Sequence, residues 1–290
     1  MQIAIYSRNG ITRQAGCTLQ LVRCLHEKGI TTLLYEPFYN SLLEEECRQI
    51  HPGAKLFASA HDLPPEVACL MSVGGDGTFL NAASLVFGTE VPLVGVSTGR
   101  LGFLPSISID KVDEAVERIS SGEFEVERRS VLQVEGCSGR RQHALNEVCI
   151  LKRNSPIAEI SVHINGEFLN TYWADGLIVA TPTGSTAYSL GAGGPIVSPD
   201  AACLIVSPIA PHSLSMRPLV VPDSSRLEVK MVTRDGKIIV GADNQSYELP
   251  TGTKLKVQKA ATAVGLVKFK QANFYQILRK KLLWGVDARG

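Results

Sequence analysis

The sequence lacks long apolar runs, a strong charge of either sign and any pair of cysteines spaced as C-x-x-C. A membrane-spanning helix needs about 20 consecutive apolar residues, so we expect no membrane span. The net charge of +1 gives no overall field that would attract nucleic acid or an anionic membrane. The seven cysteines are odd in number and lack metal-ligand spacing, which disfavours a disulfide framework and a zinc site. Reduced, buried thiols and a cytoplasmic location are therefore expected.

Two common nucleotide-binding motifs are also missing. The sequence contains no G-x-x-x-x-G-K-[ST] segment, which excludes an ordinary P-loop enzyme. The nearest approach to the dinucleotide fingerprint G-x-G-x-x-G, Gly95–Gly102, has the wrong spacing. Arg100 in this loop is either a phosphate contact or a solvated loop residue, and the pattern favours neither. The N-terminal segment, Met1–Tyr6, is already strand-like and lacks the layout of a signal peptide.

The pattern of the chain changes after residue 103. Up to Phe103, apolar strands alternate with helical segments, which is typical of a parallel sheet flanked by helices. Beyond Glu125 strands dominate, and Asn165-Gly166 and Asp235-Gly236 are two-residue hairpin signals. We therefore predict an α/β N-terminal domain over residues 1–103, an all-β, sandwich-like domain over 104–268, and a C-terminal helix within 269–290 that packs back on the first domain. The predicted helices cover residues 18–28, 39–50, 78–87, 111–120 and 274–284, and the predicted strands cover 2–6, 31–35, 55–57, 67–71, 92–97, 160–164, 177–180, 227–233, 237–240 and 254–259.

The most informative segment is the glycine-rich turn Ser72–Thr78, which reads Ser-Val-Gly-Gly-Asp-Gly-Thr between a predicted strand and a predicted helix. Glycines let the backbone approach a ligand closely, and a helix start favours phosphate. Asp76 would repel a phosphate unless it binds a metal, grips a ribose hydroxyl or removes a proton from one. A tight turn in which Asp76 only caps the helix explains a lone Gly-Asp-Gly equally well.

Polar residues in the second half complement this turn. Asp175 precedes a buried strand that runs into Thr181–Pro195, which is rich in hydroxyl and glycine residues and can surround a sugar or an amide. A loop that merely caps a helix at Ala187 explains single residues but not the whole block. Upstream, Asn146 and Glu147 offer an amide and a carboxylate that can read an adenine edge and a ribose diol, although this dipeptide is common.

Together these segments resemble the NAD kinase family, cytosolic enzymes that move the γ-phosphoryl group of ATP to the adenosine 2′-hydroxyl of NAD. The resemblance runs in order through residues 1–285. The segments that carry it are Gly74–Thr78, Leu101–Leu104, Asn146-Glu147, Asp175-Gly176, Thr181–Pro195, Ile209–Leu214, Arg217-Pro218 and Leu278–Trp284. The glycine turn alone is shared with lipid kinases and phosphofructokinases, whereas the Thr181–Tyr188 segment is far more specific.

The resemblance implies binding of ATP and NAD, Mg²⁺ or another divalent metal carried with ATP, and a homodimer or homotetramer. Asp76 would accept the proton of the attacking hydroxyl, Phe103 would pack near the adenine, and Asp175 would contact the nicotinamide end. The residues expected to bind phosphate or ATP are Gly74, Gly75, Gly77, Thr78 and Arg100. The residues expected to bind NAD are Asp76, Gly77, Phe103, Asn146, Glu147, Asp175, Thr183, Thr186, Ala187, Tyr188, Ala210 and Gln245.

The sequence departs from the family pattern at five positions. Asn81 and Trp173 stand where a basic residue is common, and Ser97 replaces a frequent asparagine. Gly191 lacks a frequent serine hydroxyl, and Asn244 interrupts the usual Asp-Gly-Gln. These departures bear on individual contacts, above all the phosphate contact at residue 81, rather than on the reaction.

Two other functions share some of these features. A lipid kinase of the diacylglycerol type has the same glycine turn, but the sequence offers no apolar surface that would accept a lipid. A non-catalytic NAD-binding sensor would favour a neutral residue in place of Asp76.

The apolar run Ala202–Ala210 fits either a fully buried strand or a subunit contact, and the family resemblance favours the contact.

Overall fold

The computed structural model describes residues 1–8, 12–43, 46, 50, 55–99, 102–104, 107–137, 140–269 and 273–283. The chain forms two compact units. The first contains Met1–Arg128 together with the segment from Val264 onward, and the second contains Arg129–Ala263. The chain passes from one unit to the other within two strands.

The elements are named here in chain order. The strands are β1 (Gln2–Ser7), β2 (Thr31–Tyr35), β3 (Lys55–Phe57), β4 (Val67–Val73), β5 (Leu93–Ser97), β6 (Ile107–Ser108), β7 (Glu125–Cys137), β8 (Arg140–Ala144), β9 (Glu147–Lys152), β10 (Ala158–Ile164), β11 (Glu167–Ala174), β12 (Gly176–Ala180), β13 (Cys203–Ile209), β14 (Leu219–Pro222), β15 (Leu227–Val232), β16 (Lys237–Ala242), β17 (Gln245–Pro250) and β18 (Lys254–Lys268). The helices are α1 (Thr12–Glu27), α2 (Glu36–Tyr39), α3 (Asp76–Val86), α4 (Val112–Ser120), α5 (Tyr188–Gly191) and α6 (Phe274–Leu282), and short 3-10 helices cover Ala60–Asp62, Ile109–Lys111 and Thr183–Thr186.

The first unit is built on a parallel sheet. Its strand order is β3-β2-β1-β4-β5, and β6 pairs with β5. The central strands β4 and β5 are almost wholly buried, as expected for strands covered on both faces. Helix α4 is strongly amphipathic, because Val112, Ala115, Val116 and Ile119 lie on one face and join the core of this unit. Because β4 and β5 are parallel neighbours, the loops that follow them lie at the same edge of this sheet.

The second unit is a sandwich of antiparallel strands. One sheet has the order β14-β13-β12-β9-β16-β17, and the other contains the neighbours β11-β10-β15-β18 with the β7–β8 pair. Alternate residues from both sheets form one apolar core, for example Val148 and Ile150 of β9 with Ile160 and Val162 of β10. The predicted fold class is confirmed: an α/β unit with a parallel sheet, an all-β sandwich and a C-terminal helix.

The two compact units divide the chain at other residues than the predicted domain limits. The first unit continues past Phe103 to Arg128, because α4 buries its apolar face in that unit's core. The last part of β18 and the described part of α6 also fall in the first unit. Helix α1 begins six residues earlier and strand β18 ends nine residues later than predicted, and several strands of the second unit, among them β8, β11 and β17, were not predicted. Residues 44, 45 and 47–49 of the predicted helix 39–50 lie outside the described residues.

Strand β13 resolves the two readings of the apolar run 202–210. It pairs with β12 on one side and β14 on the other, and Leu204–Pro208 are all buried. Burial inside its own unit therefore accounts for the apolar character of this run.

Among the helices that the structure describes, none combines the length and apolar composition that crossing a membrane requires.

Candidate functional site

The glycine turn follows β4 at the carboxyl edge of the parallel sheet. Gly74 has φ +153°, and a Cβ there would lie 2.5 Å from Thr78 Oγ1. Its N–H donates to the carbonyl of Val96 at 2.8 Å, which ties the turn to β5. Only glycine satisfies both the backbone angle and the close approach of Thr78.

Helix α3 begins directly behind this turn. The carbonyl of Gly75 accepts the N–H groups of Thr78 and Phe79, each at 3.0 Å, and so forms the first helical bonds. The helix places the positive end of its dipole at the turn, where negative charge is favoured. Gly75 and Gly77 are exposed, whereas Thr78 is buried. The turn therefore presents backbone rather than side chains to the solvent, as a phosphate site requires.

Asp76 is the first residue of α3, and its carboxylate is held by the loop after β5. Oδ2 accepts the N–H of Phe103 at 3.3 Å, and Oδ1 accepts the N–H of Leu104 at 3.0 Å. The structure thus brings together Asp76 and Phe103, which the sequence placed in one site. Because both bonds are to backbone N–H groups, they fix the orientation of the carboxylate without neutralising its charge.

Three further residues of the first unit were singled out in the sequence, namely the departures Asn81 and Ser97 and the candidate phosphate contact Arg100. The side chain of Asn81 hydrogen-bonds with the Tyr6 hydroxyl, so this departure has a structural partner within the sheet unit. Ser97 is buried at the end of β5. Arg100, proposed from the sequence as a phosphate contact, lies outside the described residues.

In the second unit, Asn146 and Glu147 lie at the start of β9. Asn146 is only 6% exposed, and the Oδ1 atom of Asn146 and the Oε2 atom of Glu147 are buried with no hydrogen-bond partner among the described residues. Burial, followed by the nearby charge of Asp243, raises the pKa of Glu147 to about 8, while the N–H of Tyr188 opposes this rise. Two buried acceptors without partners are costly, which indicates that they are kept for a ligand.

The hydroxyl-rich block Thr181–Pro195 packs on the backbone of residues 145–147, called here the 145–147 turn. Thr181 Oγ1 donates to the carbonyl of Leu145 at 2.6 Å, and a Cβ at Gly184 would lie 2.2 Å from the carbonyl oxygen of Asn146. Arg129 Nη1 donates to Thr183 Oγ1 at 3.2 Å, and Thr183 is buried. The block therefore holds the 145–147 turn in place. Glycine is required at position 184 because a Cβ there would meet the carbonyl oxygen of Asn146, and not because of a positive φ.

The end of the block carries the remaining expected residues of this region. Thr186 closes the 3-10 helix by donating to the carbonyl of Thr183 at 3.4 Å, Ala187 links it to α5, and Tyr188 begins α5 and is 44% exposed. Burial, followed by the nearby acidic groups of Cys149, Asp175 and Glu147, raises the pKa of Tyr188. Tyr188, Asp175 and Glu147 are therefore close enough to interact electrostatically.

Three further predicted residues lie elsewhere in the second unit, and two of them have side-chain partners. Asp175 forms an ion pair with Lys152 at 2.5 Å. Ala210 is exposed in a left-handed conformation with φ +45°, directly after β13. Gln245 is exposed and accepts the hydroxyl of Tyr247 at 2.5 Å.

The sequence indicated Thr181 only as part of the hydroxyl-rich block, and no role in the site was predicted for Arg129 or Asp243. The left-handed residue of the β16–β17 hairpin is Asp243, with φ +49°, while Asn244 has no positive φ. The turn therefore does not need glycine at position 244, which explains how this departure is accommodated. Asn146 and Asp243 are 97 positions apart, so no local signal could have joined them.

No group of three or more His, Cys, Asp or Glu side chains with the spacing of a metal site occurs in the described part of the chain. The charged groups at the two clusters are instead single carboxylates: Asp76 at the glycine turn, and Glu147, Asp175 and Asp243 in the second unit. Such groups suit contacts with hydroxyls and N–H groups.

Comparisons with known proteins agree with this geometry. Family models described as the ATP-NAD kinase N-terminal domain and the ATP-NAD kinase C-terminal domain match residues 10–124 and 145–269. The chain is 39% identical over 276 residues to the NAD kinase of Cytophaga hutchinsonii, covering 93% of each chain. It is 33% identical over 296 residues to the NAD kinase of Flavobacterium psychrophilum, covering 100% of each.

Solved structures share the fold. Yeast NADH kinase complexed with NADH has a TM-score of 0.88 at 24% identity, covering 99% of this chain and 88% of the yeast chain. An NAD kinase from Archaeoglobus fulgidus in complex with ATP has a TM-score of 0.75 at 25% identity, covering 98% of this chain and 99% of that one. With both domain models matched in order and relatives aligned over their full length, the chain belongs to the ATP-NAD kinase family.

Proposed function

We propose that this protein is an NAD kinase that transfers the γ-phosphoryl group of ATP to the adenosine 2′-hydroxyl of NAD and so produces NADP. The observation that carries the proposal is Asp76, an oriented carboxylate in the first turn of a helix behind a glycine turn. Full-length relatives named NAD kinase support the same reaction.

Asp76 acts as the base in this proposal. A ribose hydroxyl is a weak nucleophile near neutral pH, and a positioned base contributes about 10² to 10⁴-fold to the rate. The carboxylate accepts the hydroxyl proton as the oxygen attacks the γ-phosphorus, and the bond to the β-phosphate oxygen breaks. The two N–H groups that hold Asp76 keep its charge and its direction while the proton moves.

The glycine turn binds the phosphates. The dispersed negative charge of a transferring phosphoryl group needs amides and cations around it. The start of α3 and the exposed backbone of Gly75 and Gly77 supply amides in this environment. Positioning of the acceptor and donor then supplies a large part of the rate.

Mg²⁺ enters with ATP in this proposal. The ion would be held chiefly by the phosphates of ATP and by water at the glycine turn, which leaves the carboxylate of Asp76 to act as the base. When bound, it neutralises charge on the triphosphate. The protein's own part is to hold the phosphates at the turn and to keep the carboxylate of Asp76 oriented.

The polar cluster of the second unit recognises the nucleoside. The buried acceptors of Asn146 and Glu147 suit the amino group of adenine and the ribose hydroxyls, both of which donate. Asp175 and Tyr188 extend the polar surface toward the nicotinamide end, and Thr183, Thr186 and Ala187 line the remainder. Ala210 and Gln245 contribute from exposed positions of the same unit.

We also propose that the enzyme works in the cytoplasm as a homodimer or homotetramer. Free thiols are found at Cys17, Cys24, Cys69, Cys149 and Cys203. Burial raises the pKa of the Cys69 thiol to about 12, which makes it unreactive. The exposed edge of β14 and the exposed side chains of Leu214 and Val220 support subunit contact.

The test is direct. The pure protein is incubated with ATP, Mg²⁺ and NAD, and NADP is measured with an NADP-specific dehydrogenase. Phosphorus NMR of the product should show a 2′-phosphomonoester without a 3′ isomer. An NAD analogue with 2′-deoxyadenosine should bind without being phosphorylated. Absence of NADP, or turnover of the deoxy analogue, would contradict the proposed reaction.

A further inference from the structure

Three consecutive backbone N–H groups converge on one carboxylate in the second unit. Asp243 Oδ2 accepts the N–H of Leu145 at 2.6 Å, and Oδ1 accepts the N–H groups of Asn146 and Glu147 at 2.9 and 3.2 Å. Asp243 follows β16 and has a left-handed φ of +49°, which is unfavourable for most residues but tolerated by aspartate. Asp243 thus adopts an unfavourable backbone conformation, and its carboxylate reaches a turn that is remote in sequence.

The carbonyl groups of the same turn are also bonded. Thr181 donates its hydroxyl to the carbonyl of Leu145 at 2.6 Å and its N–H to the carbonyl of Asn146 at 2.8 Å. The N–H of Asp243 donates to the carbonyl of Glu147 at 3.1 Å. The backbone of residues 145–147 therefore has a partner for every N–H and C=O, whereas Asn146 Oδ1 and Glu147 Oε2 have none among the described residues.

We propose that Asp243 is a positioning residue that fixes the 145–147 turn so that Asn146 and Glu147 present their side-chain oxygens to the nucleoside of NAD. This inference rests on the proposed function. A carboxylate is the group that suits the task, because it is purely an acceptor and three donors face it. An asparagine would turn its own N–H groups toward at least one of these donors and loosen the turn.

The position of Asp243 also has an electrostatic consequence. The groups that face Glu147 are Asp243 at the end of β16, Cys149 on the same strand as Glu147, and Tyr188 on α5. Burial and nearby carboxylates raise the pKa of the Cys149 thiol, and burial raises that of the Tyr188 hydroxyl, so both are neutral near pH 7. Burial raises the pKa of Asp243, the three N–H groups that donate to it oppose this rise, and the charge of Asp243 in turn raises the pKa of Glu147.

The sign of the pH effect follows from these groups. The pKa of Glu147 is raised to about 8, so the side chain is protonated in much of the free enzyme at neutral pH. Ribose hydroxyls donate better to an ionised carboxylate, so kcat/KM for NAD should rise as pH increases through this range. Removing the charge of Asp243 lowers the pKa of Glu147 and should move the rise to lower pH.

The experiment compares Asp243→Asn with Asp235→Asn. Asp235 precedes β16 at its other end and likewise accepts a backbone N–H, from Asn154 at 3.1 Å, and a hydroxyl, from Ser155 at 3.0 Å. We expect Asp243→Asn to raise KM for NAD by at least about tenfold through loss of the turn's acceptor. KM for ATP should change by less than about twofold, and the rise of kcat/KM with pH should shift to lower pH. Asp235→Asn should leave both KM values and the pH profile unchanged.

Three further measurements keep the test decisive. Glu147→Gln should remove the pH-dependent rise, and combining it with Asp243→Asn should still raise KM for NAD, since the turn is loosened in either background. Amide exchange at residues 145–147 should become faster in Asp243→Asn than in Asp235→Asn. If Asp243→Asn does not fold, Asp243→Glu decides, because it keeps the charge but displaces the carboxylate by one methylene group and should still raise KM.

The inference and the proposed function can fail separately. A wild-type protein that makes no NADP overturns the proposed function, and amide exchange together with an NMR titration of Glu147 still tests the role of Asp243 in that case. An active enzyme in which folded Asp243→Asn, or Asp243→Glu where that variant decides, keeps a wild-type KM for NAD overturns the positioning role. A higher KM without a shift in the pH profile overturns the electrostatic part.

Discussion

Asp76 combines two properties that a base in a phosphoryl-transfer enzyme needs, namely charge and a fixed direction. Its place in the first turn of α3 stabilises the negative charge through the helix dipole. The N–H groups of Phe103 and Leu104 fix the direction of the carboxylate. A carboxylate that only capped its helix would bond to N–H groups of its own first turn instead. The bonds to a separate loop therefore favour the functional interpretation of Asp76 over the capping one.

Replacing Asp76 by asparagine should separate the base from the binding residue. Asp76→Asn keeps the size of the side chain and one oxygen that can accept the N–H of Leu104, but it cannot take a proton. We expect kcat to fall by at least about 10², while the affinity for NAD is largely kept. Steady-state kinetics and NAD titration measure the two effects. The control is Asp110→Asn, an exposed aspartate that accepts the Ser108 hydroxyl at 3.3 Å. Near-normal turnover in Asp76→Asn would rule out the base role.

At this scale the sequence predicts residues whose chemistry is local. Gly74 and Asp76 could be assigned because a strand, a turn and a helix start follow one another within a few positions, which is typical of an anion site. Asn146 and Glu147 needed the family resemblance, since their dipeptide is common. Asp243 could not be assigned at all, because its three bonds go to residues 96 to 98 positions away.

The 145–147 turn is a small element that two other elements hold in place. The hairpin after β16 supplies the acceptor for its N–H groups, and the segment after β12 supplies the donors for two of its carbonyls. Gly184 completes the packing, because its Cα hydrogen lies where a Cβ would meet the carbonyl oxygen of Asn146 at 2.2 Å. The position of the turn is therefore set by packing as well as by hydrogen bonds.

Gly184→Ala should push the turn out of place. The added methyl group meets backbone atoms, which cannot rotate away as the end of a flexible side chain can. Overpacking of this kind costs about 1–3 kcal/mol of unfolding free energy. We expect a lower melting temperature and a KM for NAD raised by about tenfold or more. The control for stability is Gly191→Ala in the same block, where a Cβ meets nothing within 4 Å. Equal melting temperatures for the two variants would show that the turn moves to accept the added methyl group with no loss of stability.

Among the elements, the sequence predicts those whose periodicity has a single interpretation. Helix α4 was expected almost as observed, because its apolar residues recur on one face. The length of β18 was not, because its burial pattern alternates at first and then becomes irregular over 15 residues. The apolar run of β13 fitted burial within the unit or between subunits, and only the pairing with β12 and β14 distinguishes them. Pairing partners of strands are remote in sequence and leave no local signal.

At the scale of the whole molecule, the family resemblance is confirmed, and the proposed subunit contact now depends on fewer residues. The interior of β13 is accounted for by its own sheet. Exposed apolar side chains remain nearby in sequence: Leu214 is 92% exposed, and Val220 on the edge strand β14 is 48% exposed. An uncovered edge strand with apolar side chains is a liability that subunit contact removes. Ala210 lies between these segments and β13 in the chain, and it is itself exposed.

Charge placed at Ala210 should weaken both assembly and NAD binding. In a subunit contact, Ala210→Glu would bury an unpaired carboxylate, which is strongly unfavourable. Its matched control is Ala261→Glu, at an exposed alanine of β18 in the same unit. Light scattering measures assembly, and NAD titration of the same samples measures binding. We expect Ala210→Glu to shift the mass toward the monomer and to raise the Kd for NAD, and Ala261→Glu to do neither. A wild-type protein that is fully active as a monomer at the assay concentration would refute the contribution of a neighbouring subunit, since no partner would then be needed to complete the site.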